Sequence, residues 1–308
     1  PSRLFKFSEK QYQEREKWIK QGKYTFVPYR FEPSEKIGWV KVWSLSDNKA
    51  LFSPTSYEYY SSKKIPGYKY YPGDSNGVSG GNCLEEAFLQ GFYELIERDA
   101  SGIWWYNMLR KPALNLSKFC DNKMSQLIKE IKKLGYEIYA LDLTSDLNIP
   151  VIAVFCWHSE KAPLIGLGAH LNVNIALDRA LSETIQSFNS NNYWIDLLNK
   201  NNISLDYLKP SPTLPMKTPD DYENLATDNL LDDINYILSL LKKHNMDIYI
   251  HDLTKREIGY SVVRVIVPEL SHFWPRFGTK RLYDTPVKTG ELNRPLTEDE
   301  LNCVGFPF

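Results

Sequence analysis

The 308 residues carry 37 Lys and Arg against 38 Asp and Glu, and 43% of them are hydrophobic. Near-neutral charge excludes the basic surplus of a nucleic-acid binder, and the length allows one large domain or two smaller ones. The longest apolar run, Ile149 to Trp157, contains Pro150 and is far too short for a membrane span.

No apolar segment opens the chain as a signal peptide would. Cys83, Cys120, Cys156 and Cys303 are scattered without metal-ligand spacing, which points to free thiols and a cytoplasmic protein. Position 1 is proline rather than methionine, so the chain is expected to begin inside something longer.

Ser8 to Lys20 reads as a helix with Ser8 as N-cap. Val40 to Ser44 and Leu51 to Thr55 form a hairpin around Asp47-Asn48-Lys49. Tyr57 to Gly73 is a loop. The small residues from Asp74 to Gly81 let backbone pass close to a ligand, and their amides, with a helix N-terminus behind them, could face an anion.

The stretch from Asn82 to Asp99 is the densest run of chemically capable residues. It has no proline and is rich in Leu, Glu, Ala and Gln, so it reads as a helix. At about 100° per residue, Gln90, Tyr93, Glu94 and Glu97 fall within roughly 80° of Glu86. Three carboxylates therefore share one stripe that has no lysine, with Arg98 at its edge. Such a stripe is either a solvated acidic face or the wall of a metal site. The helix continues through Trp104-Trp105-Tyr106, read as core, until Pro112 ends it.

An internal repeat follows. Asn122 to Leu134 is an amphipathic helix leading to the strand Glu137–Leu141, the turn Asp142-Leu143-Thr144, and the strand Val151 to Trp157. The same order recurs as the helix Leu230 to Lys243, the strand Asp247 to His251, Asp252-Leu253-Thr254, and the strand Tyr260 to Val267. Between them lie a short strand, Leu164 to His170, and a helix, Asn174 to Phe188, with Arg179, Glu183 and Gln186 on one face. That face carries either a plain Arg179–Glu183 surface pair or a second polar wall meeting the first helix. Asn189 to Asn202 and Leu208 to Pro219 read as connecting loops. The aromatic end, Gly305-Phe306-Pro307-Phe308, could tuck into a groove.

Ser75-Asn76-Gly77, Gly81-Asn82, Glu85-Glu86-Ala87, Gln90-Gly91, Glu94 and Glu97-Arg98-Asp99 together resemble the signature of the YcaO family. The match is nearest to the cyanobactin-type cyclodehydratases that make azolines in ribosomal peptides. It continues through Trp104-Trp105-Tyr106, Gly166 to His170, Arg179 to Glu183, Val263 to Pro268, Arg276-Phe277-Gly278, Arg281 to Asp284 and Pro286-Val287-Lys288.

The resemblance implies an α+β, YcaO-like domain over 1–308, N-terminally incomplete, with the two related helix–strand–turn–strand units around an ATP cleft. It implies an enzyme that uses ATP and Mg2+ on a precursor peptide. A cysteine thiol, or in some members a serine or threonine hydroxyl, attacks the preceding amide, whose oxygen is phosphorylated and leaves as phosphate, giving a thiazoline or oxazoline. Asn82, Glu86, Glu94, Glu97, Arg98, Arg179 and Glu183 would contact the nucleotide, with Glu86, Glu94 and Glu97 as metal ligands; no catalytic residue is assigned.

The family's first Glu-x-x-Glu-Arg pair is missing, so an upstream segment or partner chain would complete the ATP site and bind the leader peptide; a homodimer is allowed. Only Pro307 remains of the family's Pro-x-Pro-x-Pro ending. The alternatives are a non-catalytic peptide- or partner-binding fragment, or a YcaO protein that forms thioamides or amidines.

Overall fold

The computed structural model describes all residues except 1–3, 5, 22–24, 61–62, 120–121, 159–162, 187–193 and 307–308. In chain order the first elements are α1 Glu9–Gln13, α2 Arg15–Gln21, β1 Trp39–Ser44, β2 Lys49–Pro54, α3 Thr55–Glu58, β3 Val78–Gly81 and α4 Leu84–Asn107. Then come α5 Leu116–Phe119, α6 Asn122–Lys133, β4 Glu137–Asp142, β5 Val151–Trp157, β6 Leu164–Ala169 and α7 Val173–Gln186. The last are α8 Trp194–Lys200, α9 Leu230–Lys243, β7 Tyr249–Asp252, β8 Ser261–Ile266 and α10 Lys280–Lys288. The chain is an α+β fold built of two compact units, residues 1–95 with 227–281 and residues 96–226 with 282–308.

The first unit is built on an antiparallel five-stranded sheet of order β2-β1-β7-β8-β3. The β1–β2 hairpin turns where expected, and Asn48 at its tip takes φ 50°, a conformation that asparagine tolerates better than most residues. Ser8 does cap the first helix, in a capping box with Gln11. The expected single helix from Ser8 to Lys20, however, breaks at Glu14. Side chains seven positions apart still share a face across the break and reach one short loop. Gln11 donates to the Pro275 carbonyl and accepts from the Phe277 amide, and the Trp18 ring meets Phe277 edge-on at 5.4 Å.

The second unit holds the antiparallel sheet β4-β5-β6. Helix α7 lies almost backbone to backbone on β6. A Cβ on Gly168 would sit 2.2 Å from the Ala176 carbonyl oxygen, and one on Gly166 2.3 Å from that of Ala180. Only strand positions without a side chain permit that approach.

Helix α4 ends four residues earlier than the proline predicted. Met108 takes φ 51°, and the amides of Leu109 and Met108 bond back to the carbonyls of Trp104 and Trp105. This is the 6→1, 5→2 pattern of a Schellman stop. The rings before it are core, as expected: Trp104, Trp105 and Tyr106 are fully buried. The aromatic tail packs on them, Phe306 lying 5.0 Å from Trp105 and the Trp105 indole donating to the Val304 carbonyl. Pro307 and Phe308 lie outside the described residues, as does Phe188, the expected end of α7. The segment read as a loop from Asn189 contains helix α8, whose Leu198 is buried; its runs of asparagine masked a short apolar face.

The repeat is real at the level of hydrogen bonds. In the β4–β5 connection Asp142 accepts from the Thr144 amide, and the Thr144 hydroxyl accepts from the Val151 amide. In the β7–β8 connection Asp252 and Thr254 do the same, the hydroxyl accepting from Val262. Each Asp-Leu-Thr uses one carboxylate and one hydroxyl to close the strand pair behind it. Among the described residues, no helix is long and apolar enough to cross a membrane.

Candidate functional site

In the first unit the site begins where β3 delivers the chain into α4. The second half of the glycine-rich lead-in is strand rather than an open anion-binding loop: Val78 to Gly81 pair with Arg264 to Ser261 of β8. Its amides are partly spent inside the fold. The Val78 amide bonds to the Ser75 carbonyl, and the Gly77 amide donates to Glu94 Oε2 at 3.2 Å. Gly77 has φ 74°, and a Cβ there would stand 2.2 Å from the Val265 carbonyl oxygen. The site thus demands glycine at this turn. Asn82 and Glu86 are joined at the helix entrance, where Glu86 Oε2 accepts from both the amide and the side-chain nitrogen of Asn82, each at 2.8 Å.

The turn that holds Glu94 is itself pinned by a buried charge cluster. Asp74 is 5% exposed, and its carboxylate meets Arg264 at 3.1 Å, Arg276 at 2.9 Å and His272 at 3.5 Å. Arg264 is fully buried. It also donates to the carbonyls of Tyr57 and Asp74, and its guanidinium stacks 4.6 Å from the Tyr57 ring. Burial alone would raise the Asp74 carboxyl pKa. A hydrogen bond from His272 and the positive charges of Arg276 and Arg264 reverse that and hold it well below the usual carboxylate range. These residues lie about 200 positions apart in the chain, so no local spacing announces them; the matching stretches Val263–Pro268 and Arg276-Phe277-Gly278 were the one signal in the sequence.

In the second unit Glu97 and Arg98 are both largely covered, 12% and 14% exposed, and form an ion pair of 3.1 Å. Glu183 of α7 accepts from the Leu167 amide of β6. Burial raises its carboxyl pKa, opposed by the Leu167 amide and by the charge of Arg98. Glu183 thus lies within the electrostatic reach of Arg98. Arg179 is half-buried on the same face, its Cβ against β6 at Gly168.

The candidate residues lie at the entrance of α4 and along it in the first unit, and on α4 and α7 in the second. Asn82, Glu86 and Glu94 belong to the first, and Glu97, Arg98, Arg179 and Glu183 to the second. Among the described residues no three His, Cys, Asp or Glu side chains form a ready-made cation cage. Within the first unit Glu86 and Glu94 are separated by about 12 Å along the α4 axis, at about 1.5 Å per residue. Carboxylates strung out singly suit Mg2+, which takes one or two protein carboxylates and completes its shell with water and phosphate oxygens. The donors of each unit suit a metal that arrives on a nucleotide: in the first Glu94 is held by the Gly77 amide, and in the second Glu97 has the cation Arg98 beside it.

Comparison with known proteins agrees. The family model described as YcaO cyclodehydratase, ATP- and Mg2+-binding, matches residues 2–271. ATP and Mg2+ are the cofactors which that description specifies. A heterocyclase solved in complex with substrate and cofactor superposes over 100% of this chain and 43% of its own, at 36% identity and a TM-score of 0.91. The heterocyclase TruD is covered to 45%, with 100% of this chain aligned at 35% identity and a TM-score of 0.87. YcaO from Methanopyrus kandleri bound with AMPPCP and Mg2+ shares the fold at 21% identity and a TM-score of 0.60, over 81% of this chain and 68% of that one. The chain thus spans less than half the length of the two heterocyclases.

Proposed function

This chain belongs to the YcaO cyclodehydratase family, and from that membership we propose that it is the nucleotide-binding part of an ATP- and Mg2+-dependent peptide cyclodehydratase. In this reading residues 1–308 act as one YcaO-like domain. The substrate is a ribosomally made precursor peptide in which a cysteine thiol, or a serine or threonine hydroxyl, closes onto the preceding backbone amide to give a thiazoline or oxazoline. The observation that carries the reading is the polar stripe of α4, whose carboxylates are half-buried and held by their own scaffold instead of being scattered in solvent.

Bound ATP supplies a phosphoryl group that makes the amide oxygen a leaving group, and Mg2+ offsets the charge on its phosphates. The chain's own residues hold and orient. Glu94, fixed by the Gly77 amide, and Glu97, fixed by Arg98, each present oxygens for metal ligation. Glu86, tied to Asn82, does so at the helix entrance. Arg98 and Arg179 contribute positive charge for phosphate oxygens, and Glu183 orients Arg98. Further carboxylates and the binding surface for a leader peptide come from a segment or chain beyond these 308 residues; the 43% and 45% coverage of the two heterocyclases supports this part of the reading.

In the complete protein given ATP, Mg2+ and precursor peptide, Glu94→Ala and Glu97→Ala should each abolish the loss of water seen by mass spectrometry. Full heterocyclisation by either variant overturns the assignment. ATP turnover should require the peptide, and magnesium-dependent nucleotide binding by the isolated chain in calorimetry separates this reading from a fragment that only binds peptide.

A further inference from the structure

Among the described residues β2 is an edge of the five-stranded sheet, and its outer side is open. The Thr55 amide bonds to the Gly38 carbonyl, so in the β1–β2 register Ser53, Leu51 and Lys49 are the residues that exchange hydrogen bonds with β1. Ala50 and Phe52 alternate with them and turn their amides and carbonyls outward. Among the described residues nothing pairs with those groups. The side chains beside them are bare too. Phe52 is 65% exposed, and Trp39 and Trp43, on the same face across the ladder, are each 42% exposed. On the opposite face Leu51 and Ser53 line a mainly apolar cavity of about 170 Å³ with Val42, Tyr249 and Ile266. Ser53 is 4% exposed, and its hydroxyl is buried without a hydrogen-bond partner.

A free edge accepts another strand, and this edge matches itself. Two β2 strands laid antiparallel about a twofold axis at Leu51 set Ala50 of each copy opposite Phe52 of the other. Both residues face outward, so each pair closes two hydrogen bonds and no outward amide or carbonyl of either residue is left over. The side chains match in size, since the large Phe52 meets the small Ala50, with Trp43 next in the same row. On the other face Leu51 meets its own copy at the cavity, and the Lys49 of one copy stands opposite the Ser53 hydroxyl of the other. Pro54, with no amide to give, closes the edge at one end. We infer that β2 is a twofold interface on which a second copy of this chain docks, joining two five-stranded sheets into one. The bare parts of the three rings amount to about 200–350 Å² per copy, against about 800 Å² per partner in a standard stable interface. The dimer is therefore a weak one that forms with concentration. β2 carries none of the candidate nucleotide residues, so the interface is independent of the cyclodehydratase reading.

Sedimentation velocity of the whole chain from roughly 1 to 300 μM should show a reversible monomer–dimer equilibrium. Ala50→Pro removes one outward amide from each copy and leaves the β1–β2 bonds in place, so it should weaken the dimer about tenfold or more. Phe52→Lys removes the ring and should weaken it at least as much. Both positions are exposed, so far-UV circular dichroism should stay that of wild type. Leu51→Cys reads the register. Opposed residues without mutual hydrogen bonds have Cα atoms about 4.5 Å apart, within disulfide reach, so mild oxidation should give a covalent dimer on a non-reducing gel. Wild type, with its native cysteines, should not cross-link. Nor should Phe52→Cys, whose Cα atoms fall more than about 7 Å apart across the axis.

A chain that stays monomeric throughout the range overturns the interface. So does a dimer that Ala50→Pro and Phe52→Lys both leave unchanged, which would place the contact elsewhere, or cross-linking of Phe52→Cys in preference to Leu51→Cys. If Ala50→Pro unfolds the sheet, Phe52→Lys and the two cysteine variants decide the matter alone.

Discussion

Gly77→Ala tests whether the β3 turn is the scaffold of Glu94. Alanine at φ 74° carries a left-handed backbone penalty of about 1–2 kcal/mol. Its Cβ would lie 2.2 Å from the Val265 carbonyl oxygen, so the turn must move by more than an ångström. That shift stretches two hydrogen bonds, Val265 N–H to Gly77 O at 2.8 Å and Gly77 N–H to Glu94 Oε2 at 3.2 Å. The first is worth about 1 kcal/mol and the second, to a carboxylate, about 1.5–3 kcal/mol. The sum is about 3.5–6 kcal/mol, large for one methyl group. Guanidinium denaturation should record that loss. Glu94→Gln is the partner measurement. It keeps an acceptor for the Gly77 amide but removes the charge, so it should cost about 1 kcal/mol of stability while weakening Mg2+-dependent nucleotide binding at least as much as Gly77→Ala. If Gly77→Ala loses under about 1 kcal/mol and binds Mg2+–ATP like wild type, the scaffold argument is wrong.

Three further outcomes follow from the charges and the core. Asp74 has a folded-state pKa depressed below its unfolded value, so its contribution is present above about pH 4 and is lost as pH falls further. Asp74→Asn should therefore cost about 3–5 kcal/mol at pH 7, where the buried Arg264 and the largely covered Arg276 lose their counter-charge, and the gap to wild type should narrow between about pH 4 and pH 2; a gap independent of pH sinks the linkage. For Glu183 the sign is reversed. Its folded pKa is raised by burial, so wild type loses stability as pH rises through that value, and Glu183→Gln, which can still accept from the Leu167 amide, should flatten this dependence in denaturation curves at several pH values. Phe306→Ala removes a fully buried ring packed on Trp104 and Trp105 and should lower stability by about 3–5 kcal/mol; an unchanged melting temperature would show that the tail only rests on the core.

What the sequence by itself determined was local. Helical periodicity put Glu86, Gln90, Glu94 and Glu97 on one stripe, because the 3.6-residue repeat needs nothing but spacing, and the structure keeps all four half-buried. The duplicated Asp-Leu-Thr was legible for the same reason: an aspartate and a threonine two residues apart close their own turn. Even Ser8 could name its helix start from three residues. What only the tertiary structure decided is what each of these local pieces faces. Asp74, Arg264 and Arg276 meet across about 200 residues, Gly77 hands its amide to Glu94, and Leu167 hands its amide to Glu183, all through tertiary contacts that no spacing encodes. The same rule explains the errors. The small residues of 74–81 suit an open loop equally well until β8 pairs with them, and the asparagines around α8 hid a face whose burial depends on what packs against it. A repeat made twice from one sequence pattern shows the limit: its turns are locked alike, but whether Leu147 is covered and Ile258 left bare is set by neighbours distant in the chain.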